Sequence, residues 1–404
     1  MRFVVPFGLL VAALGLSACS YPYDPPQLQT SQHAPGILEL LPSPASTEAA
    51  TRSSGGGQVL RGRLIATHGM CSHTHQENWV QSRISDYARA LGAVPVPDFE
   101  PNPGKADEGE VITDRVLLHT PDGTFELVLL RWGSHVNGAR ARMEFDNYRA
   151  GQANARAADL AIGPHPERGV WSGRARADLM NSCLIDAVVY SGTAGNPIRH
   201  SMREAMCSAI GGSPGATTGG VEGAPTSILE CAGGESADLV QTVLLAESLG
   251  STIMLDAVQA LDPGSRHAAR RAVRGIYLLA NQFPLLSEAN RQIEQSPERS
   301  GPDIVVSSLG SLSDFVNLDA ESARDDALPA LHVVAITDPN DVLGSRIHPA
   351  SFRDRAVVSN VLVSNAATIL GLASNPLSAH SGWDGNATVF NVIARGLTID
   401  ASLR

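Results

Sequence analysis

The stretch that most constrains this chain is the run Val243-Leu244-Leu245-Ala246-Glu247-Ser248-Leu249-Gly250-Ser251. An apolar segment stops at a serine that has a small residue two places away on each side, Ala246 and Gly250. A serine held at the tip of a sharp strand-to-helix corner brings neighbouring backbone close, so only small side chains fit at those two positions. The spacing predicts a strand over 241–245, Ser248 at the tip, and a helix over 251–261. The first N–H groups of such a helix have no partner within it and point toward the serine, and the N–H of Leu249, next to the serine, is placed as an oxyanion-hole donor. The competing explanation is a chance match in a chain with 38 glycines, so the corner needs partners from elsewhere. A near copy, Val305-Val306-Ser307-Ser308-Leu309-Gly310-Ser311, fails the same steric requirement, because the β-branched Val306 lies two before Ser308.

Other apolar runs supply strand ends. Residues 59–67 lead directly into His68-Gly69-Met70-Cys71. Residues 77–91 place Trp79, Val80, Ile84, Tyr87 and Leu91 at helical spacing. Two strand-like runs, 115–120 and 125–132, flank the turn Pro121-Asp122-Gly123. Further strands are expected over 275–280, over 331–336 ahead of Thr337-Asp338-Pro339-Asn340-Asp341, and over 356–364. The last of these leads through Ala379-His380-Ser381 into a helix over 386–393. Between residue 132 and the corner lie segments with helical patterns at 139–162, 174–190 and 196–210, then a Gly/Thr-rich loop over 211–225. His68, His73 and His75 invite a metal reading, but no acidic or cysteine ligand spacing accompanies them, and no metal is expected.

In this order, residues 59–404 resemble the α/β-hydrolase superfamily, whose members carry a His-Gly loop after an early strand, a serine corner, and Ser, Asp and His in that chain order. The resemblance implies an α/β-hydrolase fold with a mostly parallel sheet and helices on both faces. The long segment before the corner then reads as a helical cap inserted at about 138–237, with a helical subdomain packed on the sheet as the alternative. It implies a Ser248 nucleophile, a His380 base and an oxyanion hole made by the N–H groups of Leu249 and Met70. Asp341, followed by Val342-Leu343, resembles the family's acid; Asp338 is the alternative, and with Asp341 as the acid it would cap the turn. The chain departs from the family in using Ala246 for the commoner glycine, in lacking the fuller His-Gly-Gly-Gly loop, and in carrying its longest insertion before the corner. The implied activity is hydrolysis of a small-molecule or lipid carboxylic ester without a cofactor. A thioesterase, peptidase or acyltransferase would use the same residues, and a non-catalytic envelope protein could keep the fold as a binding module.

The ends of the chain bear on location. Arg2 precedes an apolar run over 3–16 that is too short for an ordinary spanning helix. Leu16-Ser17-Ala18-Cys19 then resembles the lipobox of bacterial lipoproteins, which implies cleavage of residues 1–18, acylation of Cys19 and attachment to the envelope membrane through that lipid. Ser20, where Asp would favour the inner membrane, fits outer-membrane sorting in a Gram-negative bacterium. An ordinary secretory signal with an incidental cysteine is the alternative. The Pro-, Ser- and Gly-rich composition over 19–57 predicts a flexible tether, with the folded domain over 58–404. Four further cysteines allow three full pairings; Cys207 with Cys231 is favoured because the two bracket the Gly/Thr-rich loop, and Cys71 is expected to be buried and free. The net charge of −11 and the lack of a basic stripe argue against a nucleic-acid partner.

Overall fold

The computed structural model describes residues 19–41, 60–70, 76–95, 106–107, 109–133, 180, 183–218, 227–232, 240–289, 310–318, 330–352, 355–369 and 373–399. Residues 1–18 and 42–59, Cys71, His73, His75, the 139–162 segment and Ser308, on which several of the expectations fall, lie outside them.

One nine-stranded sheet organises the chain. Its strands in chain order are β1 (Gln27–Gln29), β2 (Leu60–Thr67), β3 (Val94–Pro95), β4 (Val111–Thr120), β5 (Gly123–Trp132), β6 (Thr242–Glu247), β7 (Val273–Leu279), β8 (Leu331–Thr337) and β9 (Ala356–Leu362). Their spatial order is β1-β9-β8-β7-β6-β2-β5-β4-β3. Every pairing from β9 across to β5 is parallel. Antiparallel strands close both margins: β1 on β9, and β4 and β3 beyond β5. The chain is thus mixed α/β with a large, mostly parallel sheet.

The central strands are continuous apolar runs because both of their faces are covered. Alternation then sorts the side chains. Leu64, Val243, Leu245, Tyr277, Leu279, Val334 and Ile336 face a layer built on α1 (Gln76–Leu91) and, near the C-terminus, the helix Ala387–Arg395. Ile65, Leu244, Ala246, Ile276, Leu278, Val333 and Ala335 face the opposite layer, which holds α2 (Asn196–Ala209) and α3 (Leu249–Gln259). Two further helices are α4 (Pro376–Ser381) and α5, the Ala387–Arg395 helix already placed.

Two expectations about domain organisation need correction. Residues 19–41 are no tether, for β1 pairs with β9 and the side chains of Ala34, Ile37 and Leu41 are fully buried. Tyr277 donates its hydroxyl hydrogen to Pro35 O at 2.7 Å, and Arg61 donates to Leu38 O at 2.8 Å. Gly36 meets the backbone of Arg395 and Gly396 so closely that a β-carbon would lie 2.4 Å from it. A few well-spaced apolar residues suffice to strap such a segment across an existing sheet, although its composition alone could not build a core.

Where it is described, the segment read as a cap follows the alternative, a helical part packed on the sheet. Helix α2 lies in the layer over the sheet, burying Ile198, Met202 and Met206 in the same core as α3, and its apolar face meets the sheet instead of standing over the site. Part of the expected Gly/Thr-rich loop is a strand, Ser213–Thr218, paired antiparallel with Ile228–Ala232. Cys207 and Cys231 are disulfide-bonded, tying this ribbon to α2, and Cys183 is disulfide-bonded as well.

Candidate active site

Parallel strands carry their functional loops at their C-terminal ends, and β6 ends on Glu247 with Ser248 as the single residue before α3. Ser248 has φ 50° and ψ −126°, a left-handed backbone that a residue with a β-carbon adopts only under strain. Neighbouring structure holds it there. The Ser248 N–H donates to Leu279 O at 2.8 Å, and the Ser251 hydroxyl donates to Ser248 O at 2.5 Å. The small residues have physical reasons: a β-carbon on Gly250 would sit 2.3 Å from His68 O, and Ala246 is buried between β2 and β7. Gly250→Ala is therefore expected to destabilise the fold by about 2 kcal/mol through overpacking against backbone. A urea melt showing no change in midpoint would contradict that cause.

The structure brings Ser248, His380 and Asp341 together. Ser248 Oγ lies 2.8 Å from His380 Nε2, and His380 Nδ1 lies 2.9 Å from each oxygen of Asp341. A carboxylate beside Nδ1 fixes the tautomer in which Nδ1–H donates, leaving the Nε2 lone pair to accept the serine proton. All three residues are buried. Asp341 Oδ1 also accepts from the Leu343 N–H at 2.8 Å, and Gly344 leaves room for Oδ2, from which a β-carbon would be 2.2 Å away.

His380 does not sit on an open loop. It lies in α4, whose N-terminus is capped by the Asn375 side chain accepting from Leu377 and Ser378 N–H, and whose Ala379 O accepts from Asn365 Nδ2 at 3.1 Å. The Trp383 indole N–H donates to His380 O. The Asp338 carboxylate is engaged by backbone N–H groups instead of by the histidine. Its Oδ1 accepts from Asn340 N–H at 2.8 Å, and its Oδ2 accepts from Asn365 N–H at 2.7 Å and Ala366 N–H at 3.2 Å. It therefore joins the loops after β8 and β9.

His68-Gly69-Met70 forms the opposite wall. A β-carbon on Gly69 would meet Ser248 Cβ at 2.7 Å, so this loop presses directly on the corner and Met70 is next along it. Met70 is buried, and Gln282 Nε2 approaches its sulfur at 3.9 Å. Leu249, the other expected oxyanion donor, is the first residue of α3, where its N–H has no acceptor within the helix. His68 is a fixed element of this wall. Its Nδ1–H donates to Gly69 O at 2.8 Å, its Nε2 accepts from Trp132 N–H at 3.1 Å, and its ring stacks on Trp132 at 5.0 Å between centroids. Both ring nitrogens are thereby engaged, and no group of His, Cys, Asp and Glu suited to a metal ion occurs among the described residues.

Sequence reasoning missed the support beneath the corner. Arg83, fully buried on α1, donates from Nε to Glu247 Oε1 at 2.5 Å and from Nη2 to Asp384 Oδ1 at 2.7 Å, with Asp86 at 3.2 Å. Trp79 donates its indole N–H to the same Glu247. Burial pulls the Arg83 guanidinium down, but the Glu247 charge and hydrogen bond, helped by Asp384, hold it above its usual range. One cation thus links the residue before Ser248 to the loop after His380. A Trp and an Arg four apart on a predicted helix, with an acid immediately before the serine, was the available signal. Arg83→Leu is expected to cost about 3 kcal/mol by stranding buried carboxylates. Thermal or urea melts that match the parent chain would contradict this.

No protein-family model matches the chain, and no curated protein matches it. Among solved structures, the chain is similar to acetyl xylan esterase 1 from Thermoanaerobacterium sp. JW/SL YS485, with 10% sequence identity and a TM-score of 0.24, over 76% of this chain and 69% of that one.

Proposed function

We propose that the chain is a serine hydrolase of the α/β-hydrolase type that cleaves carboxylic esters through an acyl-enzyme, held at the cell envelope by a lipid on Cys19. The observation that carries the reading is the continuous path Ser248 Oγ, His380 Nε2, His380 Nδ1, Asp341, built on a strained corner at the C-terminal end of a parallel strand. Strain of this kind persists where the surrounding structure enforces it, and it gathers at functional sites.

In this mechanism Ser248 Oγ attacks the ester carbonyl carbon as its proton passes to His380 Nε2. Asp341 stabilises the imidazolium that results. The carbonyl oxygen, now negative, accepts hydrogen bonds from the N–H groups of Leu249 and Met70, each contributing about 3 to 4 kcal/mol to the transition state. His380 then donates its proton to the departing alkoxide. Water, deprotonated by His380, attacks the acyl carbon; the bond to Ser248 Oγ then breaks, His380 returns its proton to that oxygen, and the acid leaves. Besides the ester and water, these steps call on side chains and backbone of this chain. The lipobox-like Leu16-Ser17-Ala18-Cys19 supports the anchor, and Ser20 supports an outer-membrane address.

The test is a panel of p-nitrophenyl esters, thioesters and peptide anilides assayed with the purified chain. An initial burst of nitrophenol equal to the enzyme concentration, followed by steady turnover, is the expected result for an acyl-enzyme. Turnover of the anilides with none of the esters would exclude an esterase.

A further inference from the structure

Strand β1 runs antiparallel to β9, with Gln27 opposite Leu362 and Gln29 opposite Asn360. The chain therefore enters the fold at the C-terminal end of β9. The residues before β1 stay at that end: Tyr23 N–H donates to Ser364 Oγ at 3.0 Å, and Ser20 and Cys19 pair antiparallel with Thr368 and Ile369. That short strand pairs in turn with Ala373–Ser374, the segment that runs into α4 and His380. Because β6, β8 and β9 are parallel through β7, their C-terminal ends lie on one edge of the sheet. Ser248, Asp341, His380 and Cys19 accordingly share that edge.

We infer that the bilayer holding the Cys19 anchor lies against this edge, so that the catalytic groups open toward it and the esters they meet are those of the bilayer's own lipids. The inference rests on the serine-hydrolase and anchoring readings above. With a free tether, the body could turn any face to the membrane. Here the backbone is paired into the fold from Cys19 onward, so an acyl chain on that residue starts from the pairing with Ile369 and fixes which edge it approaches.

A second observation agrees. Exposed apolar side chains stand along the same edge: Val342 beside Asp341 is 64% exposed, Tyr21 beside Ser20 is 52% exposed, and Leu285, on the helix Phe283–Ala289 after β7, is 47% exposed. The segment leading into that helix is joined to the loop carrying Val342, for Ser345 N–H donates to Asn281 O at 3.0 Å. Aliphatic and tyrosine side chains suit the boundary between headgroups and acyl chains, where each contributes buried area without needing to span the membrane.

The experiment uses the full chain, expressed with its leader, extracted from membranes and reconstituted into phosphatidylethanolamine/phosphatidylglycerol vesicles. A donor dye is placed at Val342→Cys or, as the opposite corner, at Val94→Cys, and transfer to an acceptor-labelled lipid is measured. Val94 is 67% exposed and pairs with His119 near the other end of the sheet. Transfer from residue 342 should exceed transfer from residue 94. In parallel, the anchored chain should hydrolyse ester lipid in its own vesicles about 100-fold faster than a Cys19→Ala chain added at equal concentration, with rates normalised to a soluble p-nitrophenyl ester. Vesicle-bound chain with equal or reversed transfer, or with no gain on ester lipid, would overturn the orientation alone. Chain that does not float with vesicles and carries unmodified Cys19 would overturn the anchoring and the orientation with it, whereas loss of all ester turnover would overturn the hydrolase reading.

Discussion

Ser248→Ala is expected to lower kcat for a p-nitrophenyl ester about 10⁵-fold or more, without loss of the fold. The size follows from the unit the residue belongs to. In the proposed mechanism, removing the nucleophile leaves His380 and Asp341 in place but gives them no proton to handle, so what would survive is the contribution of the oxyanion donors and of binding. The same position offers a second readout. Ser248 holds φ 50°, where a β-carbon is strained and glycine is not, so Ser248→Gly should raise the stability by about 1 kcal/mol while losing activity to the same extent as alanine. A gain in urea midpoint together with loss of turnover would show the corner kept under strain for the sake of its hydroxyl. A glycine variant no more stable than the alanine variant would contradict the strain argument.

The second large effect separates the two acids. Asp341→Asn is expected to lower kcat about 10⁴-fold with little change in stability, because an amide beside Nδ1 can hold the histidine in the wrong tautomer. Asp338→Asn should do the reverse. Its carboxylate accepts backbone N–H groups from Asn340, Asn365 and Ala366, so an amide there turns donors toward donors. The cost is about 2 kcal/mol in stability, with only a modest loss of turnover. Paired urea melts and steady-state kinetics on the two variants check this. Equal losses of activity from both would leave neither assigned to the histidine.

How much of this could be read beforehand depends on the physical signal each residue left in the chain. Strands β6 and β8 are apolar runs with abrupt polar ends, and β9 is apolar around the buried pair Ser359-Asn360, as doubly covered strands tend to be. Ser248, Asp341 and His380 are legible as strand-end residues for that reason. The acid was harder, because Asp338 and Asp341 differ only by three places on one loop; what separates them is the space that Gly344 leaves beside Asp341 and the N–H groups that Asn365 and Ala366 bring to Asp338. None of these is adjacent in sequence to the residue it serves.

The strap over 19–41 was illegible for a different reason. Its anchoring residues Leu28, Ala34, Ile37 and Leu41 are too few to mark an element, the helical spacing of the last three covering little more than the single turn Ile37–Leu40, and they are buried only because a finished sheet edge and α5 are there to receive them. Helix α2 misled in the opposite way. Its amphipathic pattern was plain, but an apolar face does not say whether it will meet the sheet or stand above the site. The Arg83 network shows a third limit: Arg83 and Glu247 lie far apart in sequence, and only the packing of α1 beneath β6 makes them one unit.

Fluorophosphonate labelling of the purified chain tests the central claim most directly, because the probe reacts only with a serine whose proton is being withdrawn. Peptide mass mapping should place the adduct on Ser248, with labelling lost in Ser248→Ala and strongly slowed in His380→Ala. An unlabelled chain in a reaction where a control hydrolase is labelled, or an adduct on a serine other than Ser248, would contradict it.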